Sequence, residues 1–195
     1  MSRPGLRERK KTETLRRMQE EALRLFEEQG YDATTIEQIA EAAGVSPSTF
    51  YRYFPTKEDV VVQDEYDPMI VAAFRRQPEG AAPIDAFRSA LAEQFAQFSP
   101  EDMARLRGRV ELVLSVPALR ARQVQQVVAT ERMIGEMVAE RTGRSPGDLE
   151  VRNFAAALIA TWSAGILVWV EGGGQDDLTA VLGRCLDHLE AGVPL

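Results

Sequence analysis

A chain of 195 residues with 45% hydrophobic and 27% charged residues is too apolar for a disordered polypeptide. It is long enough for a small domain carried on a larger one. The formal net charge of −7 excludes a chain that coats nucleic acid over its whole surface, but the charge is uneven. Residues 1–17 carry seven basic and two acidic side chains, and residues 61–195 carry thirteen basic and nineteen acidic ones: a basic arm on an acidic body. The single cysteine, Cys185, cannot form an internal disulfide and the amino terminus lacks the apolar stretch of a secretion signal, so a reducing cytoplasm is expected.

In chain order, residues 1–11 read as a basic, flexible arm in which Arg3 and Arg7 are candidates for a minor groove. Leu15, Met18, Ala22, Leu25 and Phe26 recur at three- and four-residue steps, which predicts a first helix from about Thr12 to Gln29, closed by Gly30. Thr34-Thr35 caps a short second helix that ends at Gly44, and Ser46-Pro47 opens a third that runs to Phe54. Thr56, with Glu58 and Asp59 in its first turn, opens a fourth helix expected to reach Arg76. Breakers at 77–83, Ser99-Pro100, Val116-Pro117 and Gly172-Gly173-Gly174 divide the remainder into helices near 84–98, 100–115, 117–141, from Ser145-Pro146 to about 171, and 177–191. The fold class is therefore all-α with about nine helices and no strand pattern. The seventeen residues from Phe154 to Val170, interrupted by Thr161 and Ser163, fall just short of a bilayer span and read as a buried helix, with no membrane partner.

Residues 35–54 place two short helices around the turn Gly44-Val45-Ser46, the helix-turn-helix arrangement, with Ile36, Ile39, Val45 and Phe50 as the apolar wedge. Ser46, Ser48, Thr49, Tyr51 and Arg52 are left on the outside of the third helix, where hydroxyls and a guanidinium suit base edges and phosphate oxygens in a major groove. The run TTIEQIAEAAGVSPSTFYRYFPTKEDVV resembles the amino-terminal signature of TetR-type bacterial transcriptional regulators over about residues 12–62. That resemblance implies a homodimer whose residues 12–58 bind double-stranded operator DNA and whose residues 59–195 bind a small-molecule effector and dimerise. It also implies that Ser46, Pro47, Ser48, Tyr51 and Arg52 face base edges, whereas Thr35, Thr49, Tyr53 and Lys57 hold phosphates.

In the carboxy-terminal half, an apolar pocket is expected from Phe95, Met103, Met133, Met137, Phe154, Leu158 and Trp162, with Arg107 and Arg109 as polar groups. A symmetric interface is expected on Ala156, Ile159, Ala160, Ser163 and Ile166. Gly143-Arg144-Ser145-Pro146-Gly147 spells a nucleophile elbow, but Pro146 has no N–H to serve as the oxyanion donor. His188 has no metal-ligand spacing around it, so neither an enzyme nor a metal or cofactor site is expected. The rival of the same architecture is a helical interaction or ligand-binding protein without sequence-specific DNA binding, which operator footprinting separates.

Overall fold

The computed structural model describes residues 6–63 and 67–194, so Arg3 lies outside them; the side chain of Arg7 is likewise not among those described. Ten helices and no strand occur among the described residues: α1 Leu6–Gln29, α2 Ile36–Ala42, α3 Pro47–Tyr53, α4 Asp59–Val62, α5 Asp67–Arg76, α6 Pro83–Phe95, α7 Pro100–Ser115, α8 Pro117–Thr142, α9 Leu149–Glu171 and α10 Leu178–Glu190. The chain forms two compact units, Met1–Glu65 with Glu111–Gln123, and Tyr66–Val110 with Val124–Leu195.

The first unit is built on an apolar seam. Met18, Ala22 and Phe26 of α1 are buried against Ile39, Ala40, Ala43, Phe50 and Phe54, with Val60, Val61 and Val62 beneath them. Leu112, Val113, Val116 and Leu119 complete this core, and so the unit reaches past the expected boundary at residue 58 and takes in the corner between α7 and α8. Gly44 ends α2 with φ +63, a left-handed conformation that a side chain would strain, and this lets α3 turn back on α2 at once.

Three expectations are corrected. α1 begins at Leu6, so residues 6–11 of the expected flexible arm are helical. The single fourth helix is two: Gln63 is extended (φ −71, ψ 122), ending α4 after one turn, and α5 starts anew at Asp67. Pro68 belongs in a first helical turn, where its missing N–H costs nothing, and it resists placement in a helix interior. α9 begins at Leu149 instead of Ser145-Pro146, because residues 145–148 close a turn in which Ser145 N–H donates to Asp148 Oδ2 (3.2 Å) and Gly147 N–H to Ser145 Oγ (3.2 Å).

The second unit packs Ala73, Phe74, Ala86, Phe87, Ala90 and Leu91 against Ile134, Met137, Val138, Val151, Ala155, Leu158 and Leu186. α9 and α10 approach closely at Gly165, where an added Cβ would stand 2.9 Å from Leu182 Cδ2 and 3.1 Å from Cys185 Sγ. α9 is 23 residues long, and its most apolar stretch of eighteen residues has a mean hydropathy of 1.6. By length and composition alone it is able to cross a membrane, which corrects the argument from shortness. Its place in a protein core rests instead on Val151, Ala155, Leu158, Gly165, Ile166, Trp169 and Val170, all buried within the unit.

Candidate functional site

Each short helix of the helix-turn-helix is set by its cap. Thr35 Oγ1 accepts the N–H of Gln38 (3.2 Å), while Gln38 Oε1 accepts the N–H of Thr35 (2.9 Å), a reciprocal box that starts α2. Ser46 Oγ accepts the N–H of Thr49 (3.1 Å) and starts α3, with Pro47 as its first residue. The Ser46 hydroxyl also lies 2.9 Å from both Ser48 Oγ and Thr49 Oγ1, so three hydroxyls cluster at the amino end of α3. Phe50 is fully buried and orients the helix; its ring meets Tyr51 edge-on (6.1 Å) and Phe54 (5.5 Å).

The outer face of α3 collects Ser46, Pro47, Ser48, Tyr51 and Arg52, all exposed, Tyr51 by 48%. Thr49 and Tyr53 are half-buried, and the Arg52 guanidinium lies 5.0 Å from the Tyr53 ring centroid. This face offers hydroxyls and one cation to a groove, the chemistry of base-edge and phosphate contacts.

Lys57, expected to hold a phosphate, has contacts of its own within the unit. Its ammonium donates to the carbonyl oxygens of Tyr31 (2.9 Å) and Thr34 (3.1 Å) and sits 4.0 Å from the Tyr31 ring centroid. Two of its three donors are thereby committed to the turn between α1 and α2. Beside it, Tyr31 Oη donates to Glu58 Oε1 at 2.6 Å. Burial, then this bond, raises the phenol above its usual range. Burial alone would raise the Glu58 carboxyl, but hydrogen bonds from Tyr31, its own main chain and Thr56, with the charge of Lys57, hold it below the usual carboxylate range. Lys57 and Glu58 thus brace the two turns that flank the recognition element. A second brace is the ion pair of fully buried Asp59. Its Oδ1 accepts Arg122 Nε and Nη2 (both 2.7 Å), and its Oδ2 accepts the N–H (3.0 Å) and hydroxyl (2.9 Å) of Thr56.

The expected pocket residues divide. Met137 and Leu158 are solid core, whereas Phe95, Met133, Phe154 and Trp162 are partly buried against that core. Four ring contacts form a ladder: Phe74 to Phe87 (6.3 Å), Phe87 to Trp162 (6.3 Å), Trp162 to Phe95 (5.9 Å) and Phe95 to Phe98 (5.0 Å). Met103 and Arg109 are half-buried on α7. Arg107 donates through Nη1 to Gly173 O (2.7 Å), and its side chain packs on Gly174, so it ties α7 to the loop after α9.

The expected interface divides in the same way. Ala156 and Ala160 are exposed, Ser163 is half-buried with its hydroxyl bonded to Ile159 O (2.8 Å), and Ile159 packs partly on the core. Ile166 is buried inside its own unit, which removes it from any outer face. The exposed face of α9 instead continues from Ala156 and Ala160 through Ala164 to Leu167 and Val168. Periodicity did not single out Ala164, Leu167 and Val168, because the helix is apolar on more than one face.

Two family descriptions match the chain: bacterial regulatory proteins of the tetR family over residues 20–63 and the MftR C-terminal domain over residues 81–194. The HTH-type transcriptional regulator TcmR of Streptomyces glaucescens is 36% identical over 72% of this chain and 65% of its own length. A Mycobacterium tuberculosis transcriptional regulator named for mycofactocin biosynthesis, MftR, is 24% identical over 95% of this chain and 93% of its own. Among solved structures, the Thermus thermophilus TetR-family repressor FadR in complex with lauroyl-CoA is 25% identical over 93% of this chain and 95% of that chain, with a TM-score of 0.57. With a capped helix-turn-helix in its first unit and an MftR-type helical domain over most of the remainder, the chain belongs to the tetR family of bacterial DNA-binding transcriptional regulators.

Proposed function

We propose that this protein is a homodimeric cytoplasmic repressor that binds a palindromic operator and is released by an apolar or amphipathic small molecule. The observation that carries the DNA half is the outer face of α3, where Ser46, Ser48, Tyr51 and Arg52 stand exposed on a helix fixed by Phe50. Arg52, with Tyr51, reads base edges, and the hydroxyls of Thr35 and Thr49 serve phosphates. The ligand half is supported by the aromatic ladder around Trp162 and Phe95, by Met133 and Phe154, and by the lauroyl-CoA held in the Thermus relative. The dimer is supported by the exposed stripe Ala156, Ala160, Ala164 and Val168 on an apolar helix, small side chains that let two helices come close.

The test begins with footprinting on the DNA flanking the protein's own gene, followed by binding of Tyr51→Ala and Arg52→Ala to the protected operator and to a scrambled duplex. A bidentate arginine–guanine contact discriminates by about 1–3 kcal/mol, so Arg52→Ala is expected to weaken the operator roughly tenfold more than the scrambled DNA. Equal losses on both duplexes would show that these side chains anchor and do not read.

A further inference from the structure

We propose that the amino-terminal half of α1 is a phosphate-binding ridge, with Arg17 at its centre, that grips the DNA backbone beside the recognition helix. The proposal rests on the DNA-binding reading and assigns to it a contact outside the helix-turn-helix signature.

Of the cations of the first unit whose side chains are described, five are neutralised or tied down by the fold. Arg16 pairs with Glu20 (3.3 Å), and Arg24 lies between Glu21 and Glu28 (2.7 Å to each). Lys57 is held by main-chain carbonyls, Arg122 by Asp59, and Arg120 by Leu114 O (2.7 Å). Lys10, Lys11 and Arg17 differ: all three are exposed, and among the described residues none has an ion pair or a side-chain hydrogen bond. Glu13, one turn before Arg17, is not paired with it, although that spacing permits a bridge.

The position of Arg17 gives the free charge a direction. Its Nη2 lies 3.7 Å from where a Cβ on Gly44 would stand, so the guanidinium rests beside the turn that leads into Ser46 and α3. Lys10, Thr14 and Arg17 follow one another at steps of four and three residues on one face of α1, and the seven steps from Lys10 to Arg17 rise about 10 Å along the axis. In a docked helix-turn-helix the first of its two helices, here α2, crosses the sugar–phosphate backbone, and the Arg17 guanidinium lies beside Gly44 just past the end of that helix. A guanidinium fork there takes a phosphate through two parallel hydrogen bonds, and the ammonium of Lys10 meets a further phosphate as a point charge.

The experiment titrates the full chain with a random-sequence duplex of about thirty base pairs and with the footprinted operator at several salt concentrations. Each phosphate contact removed flattens the salt dependence of log K by about 0.9, so Arg17→Ala is expected to lower the slope by roughly two per dimer. Between 50 and 200 mM salt, affinity should then fall about tenfold less than in the wild type, equally on both DNAs. The thermal midpoint should stay unchanged and Arg17→Lys should restore the slope; Lys10→Ala should act alike. Lys57→Ala supplies the contrast, since loss of its brace should lower the midpoint. An unchanged slope in Arg17→Ala, or a lost midpoint with no recovery in Arg17→Lys, overturns the ridge while leaving the operator reading intact. A wild-type chain that binds neither duplex at low salt overturns both.

Discussion

Tyr31, Lys57 and Glu58 show how single side chains brace the turns on either side of a recognition helix. Because the Glu58 carboxyl is held below its ordinary value, it binds fewer protons in the folded than in the unfolded chain near pH 4. Its contribution is therefore complete above the unfolded value of about 4.3 and is lost as pH falls through the lower folded value. Tyr31 runs the other way: its phenol is raised, so its contribution is complete below about pH 10 and is lost only as alkali rises through the higher folded value. Urea midpoints between pH 3 and 6 should fall more steeply for the wild type than for Glu58→Gln, whose amide still accepts from Tyr31 but does not titrate. Parallel curves would show that the Glu58 charge is not linked to folding. None of this bracing was legible in the sequence. Tyr31 and Lys57 lie 26 residues apart, and a lysine at the start of a helix gives no sign in the sequence that it donates to the carbonyls of Tyr31 and Thr34.

At the level of elements, what the sequence made legible was punctuation. Gly30, Gly44, Pro47, Pro100, Pro117 and Gly172 act through their own backbone chemistry, and the ends of α1, α2, α3, α7, α8 and α9 fall at or beside them. The same logic applied to Asp67-Pro68 separates α4 from α5, a break that the expectation of one helix to Arg76 passed over. Faces were harder to read than ends. α9 is apolar on more than one face, so periodicity did not say whether Ile159 and Ile166 turn inward; packing of Gly165 against Leu182 and Cys185 decided it and left Ala160, Ala164 and Val168 outside. A charge on that face should therefore separate subunits without disturbing a core. Ala164→Glu is expected to shift sedimentation from dimer to monomer at micromolar concentration with little change in helical content, whereas Ile166→Glu should unfold the second unit. A dimer that survives Ala164→Glu would place the interface elsewhere.

Across the whole molecule, α7 and α8 are the chain segments shared between the two units, since residues 111–123 belong with the helix-turn-helix and their continuations belong with the regulatory unit. Asp59 and Arg122 fix the first turns of α8 to the start of α4, and Asp59 is wholly buried. A ligand proposed to sit at the aromatic ladder lies in the unit that holds the remainder of α7 and α8. Removing one partner of such a pair strands a buried charge, which costs about 3–5 kcal/mol, whereas removing both costs much less. Arg122→Met is accordingly expected to lower stability by about that amount, and the double variant with Asp59→Leu to recover most of it. The pair's part in signalling is read separately, from linkage: if an effector weakens operator binding by some factor, operator DNA must weaken effector binding by the same factor. In the double variant, which keeps the fold but lacks the link, that factor should shrink toward one while effector affinity in the absence of DNA stays as in the wild type. An undiminished coupling factor in the double variant would show that the signal does not pass through Asp59 and Arg122.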